Sequence, residues 1–249
     1  MKSYLKVMAD CRQEIMKRAC TRFVSLSRQR ERKAKSRSAS FALKFFINAF
    51  LLMSVGLASI ASAESRQPAS VTQTAVFAGG CFWGVDAVFK HVRGVISTTS
   101  GYAGGSAETA QYERVSRGDT GHAESVRVVF DPAQVSYNQL LQVFFSVAHN
   151  PTQLNFQGPD TGTQYRSAIF YTSAEQQRLA QAYIQQLGAS KFFSADIVTQ
   201  LVPLQKFFPA EDYHQNYLAL HPNQPYIVIH DQPKLAQLRK QFPNLYQAK

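Results

Sequence analysis

Apolar and polar residues alternate along the chain in patterns that predict interleaved strands and helices between residues 74 and 240. A short apolar run at 74–78 predicts a strand, and two glycines end it directly before Cys81. The complete set comprises strands at 74–78, 94–102, 122–130, 165–172 and 197–204, an extended segment at 226–229, and helices at 85–92, 137–148, 174–187, 210–220 and 233–240. Because neither a βαβαβ rhythm nor a G-x-G-x-x-G motif occurs, these elements indicate an α+β domain with a mixed sheet.

Capping residues support two of the helix boundaries. Ser136 is a candidate N-cap for the helix that ends at Ala148. Ser173 and Gln176 have the spacing of a capping box, and Gly188 is placed to end the same helix. The Gly- and Pro-containing loop at 150–163 is long for a connection within a compact domain, and loops of that length tend to be functional.

The positive charge of the chain is concentrated in its first 63 residues. The whole chain has 27 Lys and Arg against 16 Asp and Glu, a formal net charge of +11. Residues 1–63 hold 13 of the basic and 3 of the acidic side chains, so residues 64–249 carry a net charge of only +1. The charge balance therefore gives no support to a nucleic-acid-binding protein.

These first 63 residues have the organisation of a secretory signal peptide. A basic stretch precedes an apolar stretch at 45–60, and an A-x-A motif ends at Ala63, directly before Glu64. We therefore expect an exported, periplasmic protein that contacts the membrane only if the leader stays uncleaved and tethers it to the inner membrane. The predicted organisation is a leader at 1–63, a flexible tether at 64–73, a folded domain at 74–230 and a C-terminal helix and tail at 231–249.

Cys81 is the one cysteine that cleavage would leave, because Cys11 and Cys20 lie in the leader. A mature protein with one thiol has no internal disulfide, and an exposed thiol is a liability in an oxidising compartment. On the first turn of a helix, unpaired backbone N–H groups and the helix dipole favour a thiolate. Cys81 is therefore the candidate nucleophile, and the alternative is a buried cysteine that packs as a small apolar residue.

Glu124 is the candidate acid. It falls on the same strand face as Val126 and Val128, which should point into the core. A buried carboxyl group is costly to ionise, so its pKa should rise and it could donate a proton. The pattern equally allows Glu124 to reach water at the end of the strand. His122 and His214 are further candidate bases, but neither has a telling spacing to Cys81.

Further candidate residues flank Cys81 or lie in the long loops. Phe82 and Trp83 could line an apolar pocket at the thiol, or could pack in the core. Tyr112 and Tyr165 offer phenolic donors, and Asp160 lies in the long loop. No H-x-x-x-H or C-x-x-C motif occurs, so no metal site is predicted, and the G-x-S-x-G motif of serine hydrolases is absent as well.

Six motifs, in order along residues 74–230, resemble the A-type peptide methionine sulfoxide reductases. They are GGCFWG at 79–84, GYAGG at 101–105, TGHAE at 120–124, DP and SYNQLL within 131–141, QGPDTGTQYRSAIF at 157–170 and AEDYHQNYL at 210–218. GCFW together with GTQYRSA is specific to this family. The resemblance implies a two-layer α+β sandwich with a ferredoxin-like core. It also implies an enzyme that reduces methionine-S-sulfoxide, in proteins and as the free amino acid, and so repairs oxidised proteins.

The resemblance also assigns roles to residues. Cys81 would be the catalytic thiolate, and Glu124 would protonate the sulfoxide oxygen, which favours the buried-acid interpretation. The substrate-binding residues would be Tyr112 and Tyr165 on the oxygen, Phe82 and Trp83 on the S-methyl group, and Asp160 on the substrate backbone.

The chain departs from many members of this family in its cysteines. Those members resolve the sulfenic acid with a second cysteine, whereas residues 220–249 contain none and position 116 is Ser. The chain is thus similar to the single-cysteine branch, so we expect no bound cofactor and an external thiol reductant, thioredoxin-like or another dithiol. Asn150 and Phe156 also depart from the residues usual in the family.

Oxidised proteins and peptides are the expected substrates, and a monomer is the expected state. Two other functions are compatible with a reactive cysteine beside aromatic residues. The first is a non-enzymatic binder or sensor of oxidised methionine side chains. The second is a thiol peroxidase, which would give no reason for the aromatic pocket.

Overall fold

A computed structural model describes residues 71–249 of the chain. The predicted leader at 1–63, its cleavage site and most of the predicted tether at 64–73 lie outside the described residues. Within the described part, no helix is both long and apolar enough to cross a membrane.

The strands of residues 71–249 form one large and one small sheet. They are β1 (Gln73–Gly79), β2 (Val95–Ala103), β3 (Ala123–Phe130), β4 (Phe156–Gln157), β5 (Asp160–Thr161), β6 (Ser167–Tyr171), β7 (Gln200–Pro203) and β8 (Phe207–Pro209). The large sheet has the order β7-β6-β1-β3-β2-β8, and β4 pairs with β5. Only β6 and β7 run parallel among these neighbours, so the sheet is mixed as predicted.

Short helices connect and cover the strands. They are α1 (Phe82–Lys90), α2 (Tyr112–Val115), α3 (Tyr137–Val143), α4 (Ala174–Ala189), α5 (Tyr217–Leu220) and α6 (Gln232–Gln241). A π-helical turn at Phe144–Ala148 continues α3, and another at Ile227–Asp231 leads into α6.

The helix starts follow the predicted capping residues in part. Ser136 and Gln139 form a reciprocal capping box before α3. At the start of α4, the Ser173 hydroxyl accepts from the backbone N–H of Gln176 at 3.2 Å. The Gln176 side chain instead accepts from the backbone N–H of Thr172, so this second box is not reciprocal.

The main core lies between one face of the large sheet and the helices. Phe77 of β1 stacks on Phe89 of α1 and on Phe144 after α3, each at 4.9 Å between ring centroids. Because successive side chains of a strand point to opposite faces, Val76 and Ala78 join a smaller apolar cluster on the other face. The chain therefore has the predicted two-layer α+β architecture.

The C-terminal third differs most from the predicted elements. The segment predicted as extended at 226–229 is wrong, because Ile227 and Asp231 lie one turn apart on a helical segment and are both fully buried. Their packing overrides the strand preference of the Ile-Val-Ile run. The helix predicted at 210–220 is interrupted, since Asn216 has a left-handed φ of +56°. Strand β8 was not predicted, and α4 passes Gly188 to end at Ala189.

The last residues of the chain return to α1. The backbone N–H of Arg93 donates to the carbonyl of Leu245 at 2.6 Å, and that of Gln247 donates to the carbonyl of His91 at 2.9 Å. Tyr246 forms a β-bridge with Val92 between these two bonds. The C-terminus is therefore tied to the end of α1 that lies away from Cys81.

Candidate active site

Cys81 is the N-cap residue of α1 and directly follows the turn that ends β1. Gly80 makes this turn with a φ of +89°, a conformation that favours glycine, and a Cβ atom there would lie 2.6 Å from Gln157. The Cys81 side chain is 9% exposed, and it is the only cysteine in residues 71–249. The strand–turn–helix arrangement around the candidate nucleophile is therefore as predicted.

The surroundings of Cys81 work against a thiolate in the free protein. Burial raises the pKa of the thiol well above its usual value, and the carboxyl groups of Glu124 and Asp231 raise it further. The backbone N–H of Trp83 and the ammonium group of Lys234 lower it. The predicted effect of the helix N-terminus is thus present, and the desolvation of the thiol opposes it more strongly.

Glu124 lies in the core, only 3% exposed, so the alternative in which it reaches water is wrong. Its Oε2 accepts a 3.0 Å hydrogen bond from the backbone N–H of Phe82, the residue after the nucleophile. Burial raises the pKa of Glu124 to about 8 and Asp160 adds to this, although the bond from Phe82 lowers it. A carboxylic acid that is protonated at neutral pH therefore stands next to Cys81.

Two tyrosine hydroxyls share the environment of the thiol and the acid. Burial raises the pKa of Tyr112, and the nearby acidic groups of Glu124, Cys81 and Asp160 raise it further. Burial also raises the pKa of Tyr165, again with contributions from the same three groups. Both hydroxyls therefore keep their protons and can donate hydrogen bonds at this point.

Asp160 is oriented by a residue from the C-terminal part of the chain. The hydroxyl of Tyr226 donates a hydrogen bond to Oδ2 of Asp160. The structure thus brings together the residues predicted to carry the chemistry, which are Cys81, Glu124, Tyr112, Tyr165 and Asp160.

The two aromatic residues after Cys81 have different surroundings. The Phe82 ring is buried between Tyr102 and His214, at 5.9 and 5.0 Å between ring centroids. Trp83 is half-buried and stacks on Tyr217 at 3.7 Å, with the rings 5° from parallel. The core packing considered for Phe82 is therefore observed, and the role of the pair at an S-methyl group stays a prediction.

Both histidines considered as bases make hydrogen bonds to other groups through at least one ring nitrogen. The Nδ1 atom of His214 accepts a 3.2 Å hydrogen bond from the indole N–H of Trp83, and burial lowers the pKa of His214. The ring of His122 bonds to the backbone of Gly105 and Ser106, and burial lowers its pKa as well. His214 thus orients Trp83, and His122 holds a loop.

Two charged residues near Cys81 were not among the candidates. Asp231 is fully buried, and its Oδ1 accepts from the Nζ of Lys234 at 3.1 Å. The pair lies against α1 at Gly84, where a Cβ atom would be 2.1 Å from the Asp231 oxygen. No sequence signal indicated them, because the segment before Asp231 was predicted to be extended. Within residues 71–249, no cluster of His, Cys, Asp or Glu has a metal-binding arrangement.

Comparison with known proteins shows which family the chain belongs to. The family model described as peptide methionine sulfoxide reductase matches residues 73–246. The chain belongs to the peptide methionine sulfoxide reductases. The resemblance stated from the motifs is thereby confirmed, together with the oxidoreductase class that it implied.

Individual members of the peptide methionine sulfoxide reductases are similar to the chain in sequence and fold. Peptide methionine sulfoxide reductase MsrA 2 of Mesorhizobium japonicum is 57% identical over 186 residues, 75% of this chain and 94% of the relative. The crystal structure of Mxr1 from Saccharomyces cerevisiae in its reduced form matches with a TM-score of 0.57 and 33% identity, over 61% of this chain and 87% of that one. Methionine sulfoxide reductase A of Corynebacterium diphtheriae matches with a TM-score of 0.55 and 36% identity, over 61% and 76%.

Proposed function

We propose that this protein reduces methionine-S-sulfoxide in oxidised proteins to methionine, with Cys81 as the nucleophile and Glu124 as the acid. The observation that carries this proposal is the buried, protonated Glu124 bonded to the backbone of the residue that follows Cys81. A sulfoxide becomes electrophilic at sulfur when its oxygen is protonated or strongly hydrogen-bonded. A neutral carboxylic acid beside a thiol meets that requirement.

The reaction transfers one oxygen atom from the substrate to Cys81. Cys81 gives its proton to water and attacks the substrate as a thiolate, while Glu124 passes its proton to the oxygen. Methionine leaves, Cys81 becomes a sulfenic acid, and Glu124 is left as a carboxylate that takes a proton from water. Tyr112 and Tyr165 donate hydrogen bonds to the same oxygen and stabilise the charge that develops there.

An external thiol completes the cycle, because Cys81 is the only cysteine among the described residues. The reductant's thiolate attacks the sulfenic sulfur, which gives a mixed disulfide and water. A second thiol then releases Cys81 as the free thiol. A thioredoxin-like protein or another dithiol fits this requirement.

The remaining assignments concern the substrate and the compartment. Trp83 and Phe82 would hold the S-methyl group and select the S epimer, and Asp160 would hold the substrate backbone. Asn150 and Phe156 belong to the loop that carries Asp160, so their departures from the usual family residues would alter either the packing of this loop or the substrate preference. The protein acts as a monomer.

Export to the periplasm, with cleavage between Ala63 and Glu64, follows from the leader sequence. The intact mass of the protein recovered from the periplasm tests this directly. A mass that includes residues 1–63 would indicate the uncleaved, membrane-tethered form instead.

The activity is tested with purified protein, a peptide that contains methionine-S-sulfoxide, and dithiothreitol. We expect turnover with the S epimer and none with the R epimer, and complete loss of turnover in Cys81→Ser with an unchanged circular dichroism spectrum. Turnover by Cys81→Ser would overturn the role of Cys81. Saturable binding of the sulfoxide peptide without turnover would indicate a binder or sensor of oxidised methionine. Consumption of peroxide without reduction of the sulfoxide would indicate a thiol peroxidase.

A further inference from the structure

A cavity of about 300 Å³ opens onto Cys81 between the long loop and the start of α6. Its charged or titratable lining residues include Cys81, Asp160, Tyr226, His230 and Lys234. The proposed acid Glu124 does not line it. The thiol therefore faces a second group of residues that the proposed reaction has not used, and most of them come from the C-terminal segment.

The ion pair of Asp231 and Lys234 lies on the first turn of α1. Cys81 and Gly84 are three positions apart, so they share one face of that turn. A Cβ atom at position 84 would lie 2.1 Å from Oδ1 of Asp231 and 2.6 Å from Nζ of Lys234. The bare backbone of Gly84 is thus what allows this ion pair to approach the N-terminus that Cys81 caps.

The groups that surround Cys81 come from several elements. The carboxyl groups are those of Glu124 on β3, Asp160 on β5 and Asp231 before α6, and the ammonium group is that of Lys234. The phenols are Tyr112, Tyr165 and Tyr226, and the imidazoles are His149 and His230. Burial lowers the pKa of His149 to about 3, so its ring is neutral. Glu124 is protonated at neutral pH, so it does not repel a thiolate there.

Asp231 is the carboxyl group that still opposes a thiolate once Glu124 is protonated. Its Oδ2 is buried without a hydrogen-bond partner in the described residues, so only Oδ1 is compensated, by Lys234. Burial raises the pKa of Asp231, whereas the charge and the hydrogen bond of Lys234 lower it and so favour the carboxylate. The positive charge of Lys234 lowers the pKa of Cys81 instead, and the carboxylate of Asp231 holds this ammonium group against α1.

We propose that Lys234 is a further residue of the reductase site, whose ammonium group, held by Asp231, stabilises Cys81 as the thiolate that attacks the sulfoxide. Lys234 acts on Cys81 through its charge, and Asp231 is the positioning residue that fixes it on the first turn of α1. The proposal deepens the proposed function, since it takes Cys81 as the nucleophile. Cys81 loses its proton to water in this step, and no other bond forms or breaks.

The test measures how fast iodoacetamide alkylates Cys81 as a function of pH, followed by mass spectrometry on the tryptic peptide that contains Cys81. In Lys234→Gln we expect the midpoint of the profile to rise by about one pH unit, and alkylation at pH 7 to slow about tenfold. Lys234→Arg should restore most of the rate, because it restores the charge. Lys240→Gln removes the same charge from an exposed position of α6 and should leave the profile in place.

A second variant separates charge from packing. Asp231→Asn keeps the shape that fits against Gly84 but removes the carboxylate, which acts on Cys81 more strongly than Lys234 does. In the Asp231→Asn background we expect Lys234→Gln to shift the midpoint by less than it does in the wild type, because the ammonium group is no longer fixed beside Cys81. If the two residues were merely structural, the shifts would not depend on each other in this way. An equal shift in both backgrounds would overturn the positioning role of Asp231, and no shift in Lys234→Gln would overturn the proposal.

The proposed function is tested by a different measurement, the formation of methionine from the sulfoxide peptide. Wild-type protein that alkylates normally but forms no methionine from the sulfoxide peptide would overturn the reductase activity and leave the alkylation result on Lys234 standing. Conversely, normal formation of methionine by Lys234→Gln at pH 7, with an unshifted profile, would remove only Lys234 from the site.

Discussion

The backbone N–H of Phe82 donates to Oε2 of Glu124 at 3.0 Å, across 42 residues of sequence. Phe82 is the first residue of α1 and directly follows Cys81, so this single bond fixes the start of the helix against β3. The bond therefore fixes the carboxyl group of Glu124 relative to the backbone that carries Cys81. Such placement is what a proton transfer coupled to nucleophilic attack requires.

Replacement of Glu124 by Gln should slow the reduction of methionine sulfoxide by about 10²–10⁴-fold, because the proton donor is lost. Between pH 6 and about 8 the wild-type rate should rise, because more of Cys81 becomes the thiolate, and above about 8 it should stop rising, because the active protonated form of Glu124 declines. Steady-state rates between pH 6 and 9.5 measure both effects. A Glu124→Gln protein as fast as wild type would exclude the acid role.

Alkylation of Cys81 by iodoacetamide serves as the control for Glu124→Gln. At pH 7 the alkylation rate should be close to that of wild type, because Glu124 is already neutral there. Above pH 8 the variant should react faster, since the negative charge of Glu124 raises the pKa of Cys81 in the wild type. A variant that loses alkylation and reduction together has lost its structure rather than its acid.

The stability of the protein should fall with rising pH between the unfolded and the folded pKa of Glu124. In the unfolded chain its pKa is about 4.3, and in the folded protein it is about 8, so between these values the folded state holds a proton that the unfolded state has lost. The free energy of unfolding should then decrease with rising pH, relative to Glu124→Gln, by about 1 kcal/mol per pH unit between pH 5 and 8. Urea titrations of both proteins at pH 5, 6, 7 and 8 measure this difference, and parallel curves would contradict it.

His214→Phe should destabilise the protein by about 0.5–1.5 kcal/mol, because the half-buried indole N–H of Trp83 loses its acceptor. Phenylalanine keeps an aromatic ring against Phe82, so the packing changes little. KM for the sulfoxide peptide should rise, since Trp83 is no longer oriented. In a Trp83→Phe background the same change should cost much less, and equal costs in both backgrounds would refute the bond.

Gly84→Ala and Gly188→Ala form a matched pair of helical substitutions. At Gly188 a Cβ atom meets nothing within 4 Å, so alanine should stabilise the protein by about 0.5–1 kcal/mol through its helix propensity. At Gly84 it would collide with the ion pair of Asp231 and Lys234, so the protein should be destabilised and its reductase rate reduced. Thermal unfolding and turnover at pH 7 check both variants, and stabilisation in both would mean that the ion pair does not need that space.

The sequence predicted the part of the site that depends on local patterns. Alternation along β3 put Glu124 on the core face, and the glycine turn before an apolar helix put Cys81 at an N-terminus. These signals depend on residues close in sequence, so no tertiary information is needed to recognise them.

The charge state of Cys81 could not be predicted in the same way. The helix N-terminus acts through backbone groups that the sequence implies, whereas desolvation depends on how deeply the packed fold buries the thiol. Asp231 and Lys234 were missed for a related reason. Their segment has the composition of a strand, and only its packing against α1 makes it helical and brings both side chains to Gly84.

The return of the C-terminus to α1 has a practical consequence for handling the protein. Gln247 makes a backbone hydrogen bond to His91, two positions before Lys249. A purification tag fused directly to Lys249 would disturb the contacts that residues 245–247 make with the end of α1, the helix that Cys81 begins. A spacer of several flexible residues should precede any such tag, and immobilisation through the C-terminus without one should lower the measured turnover.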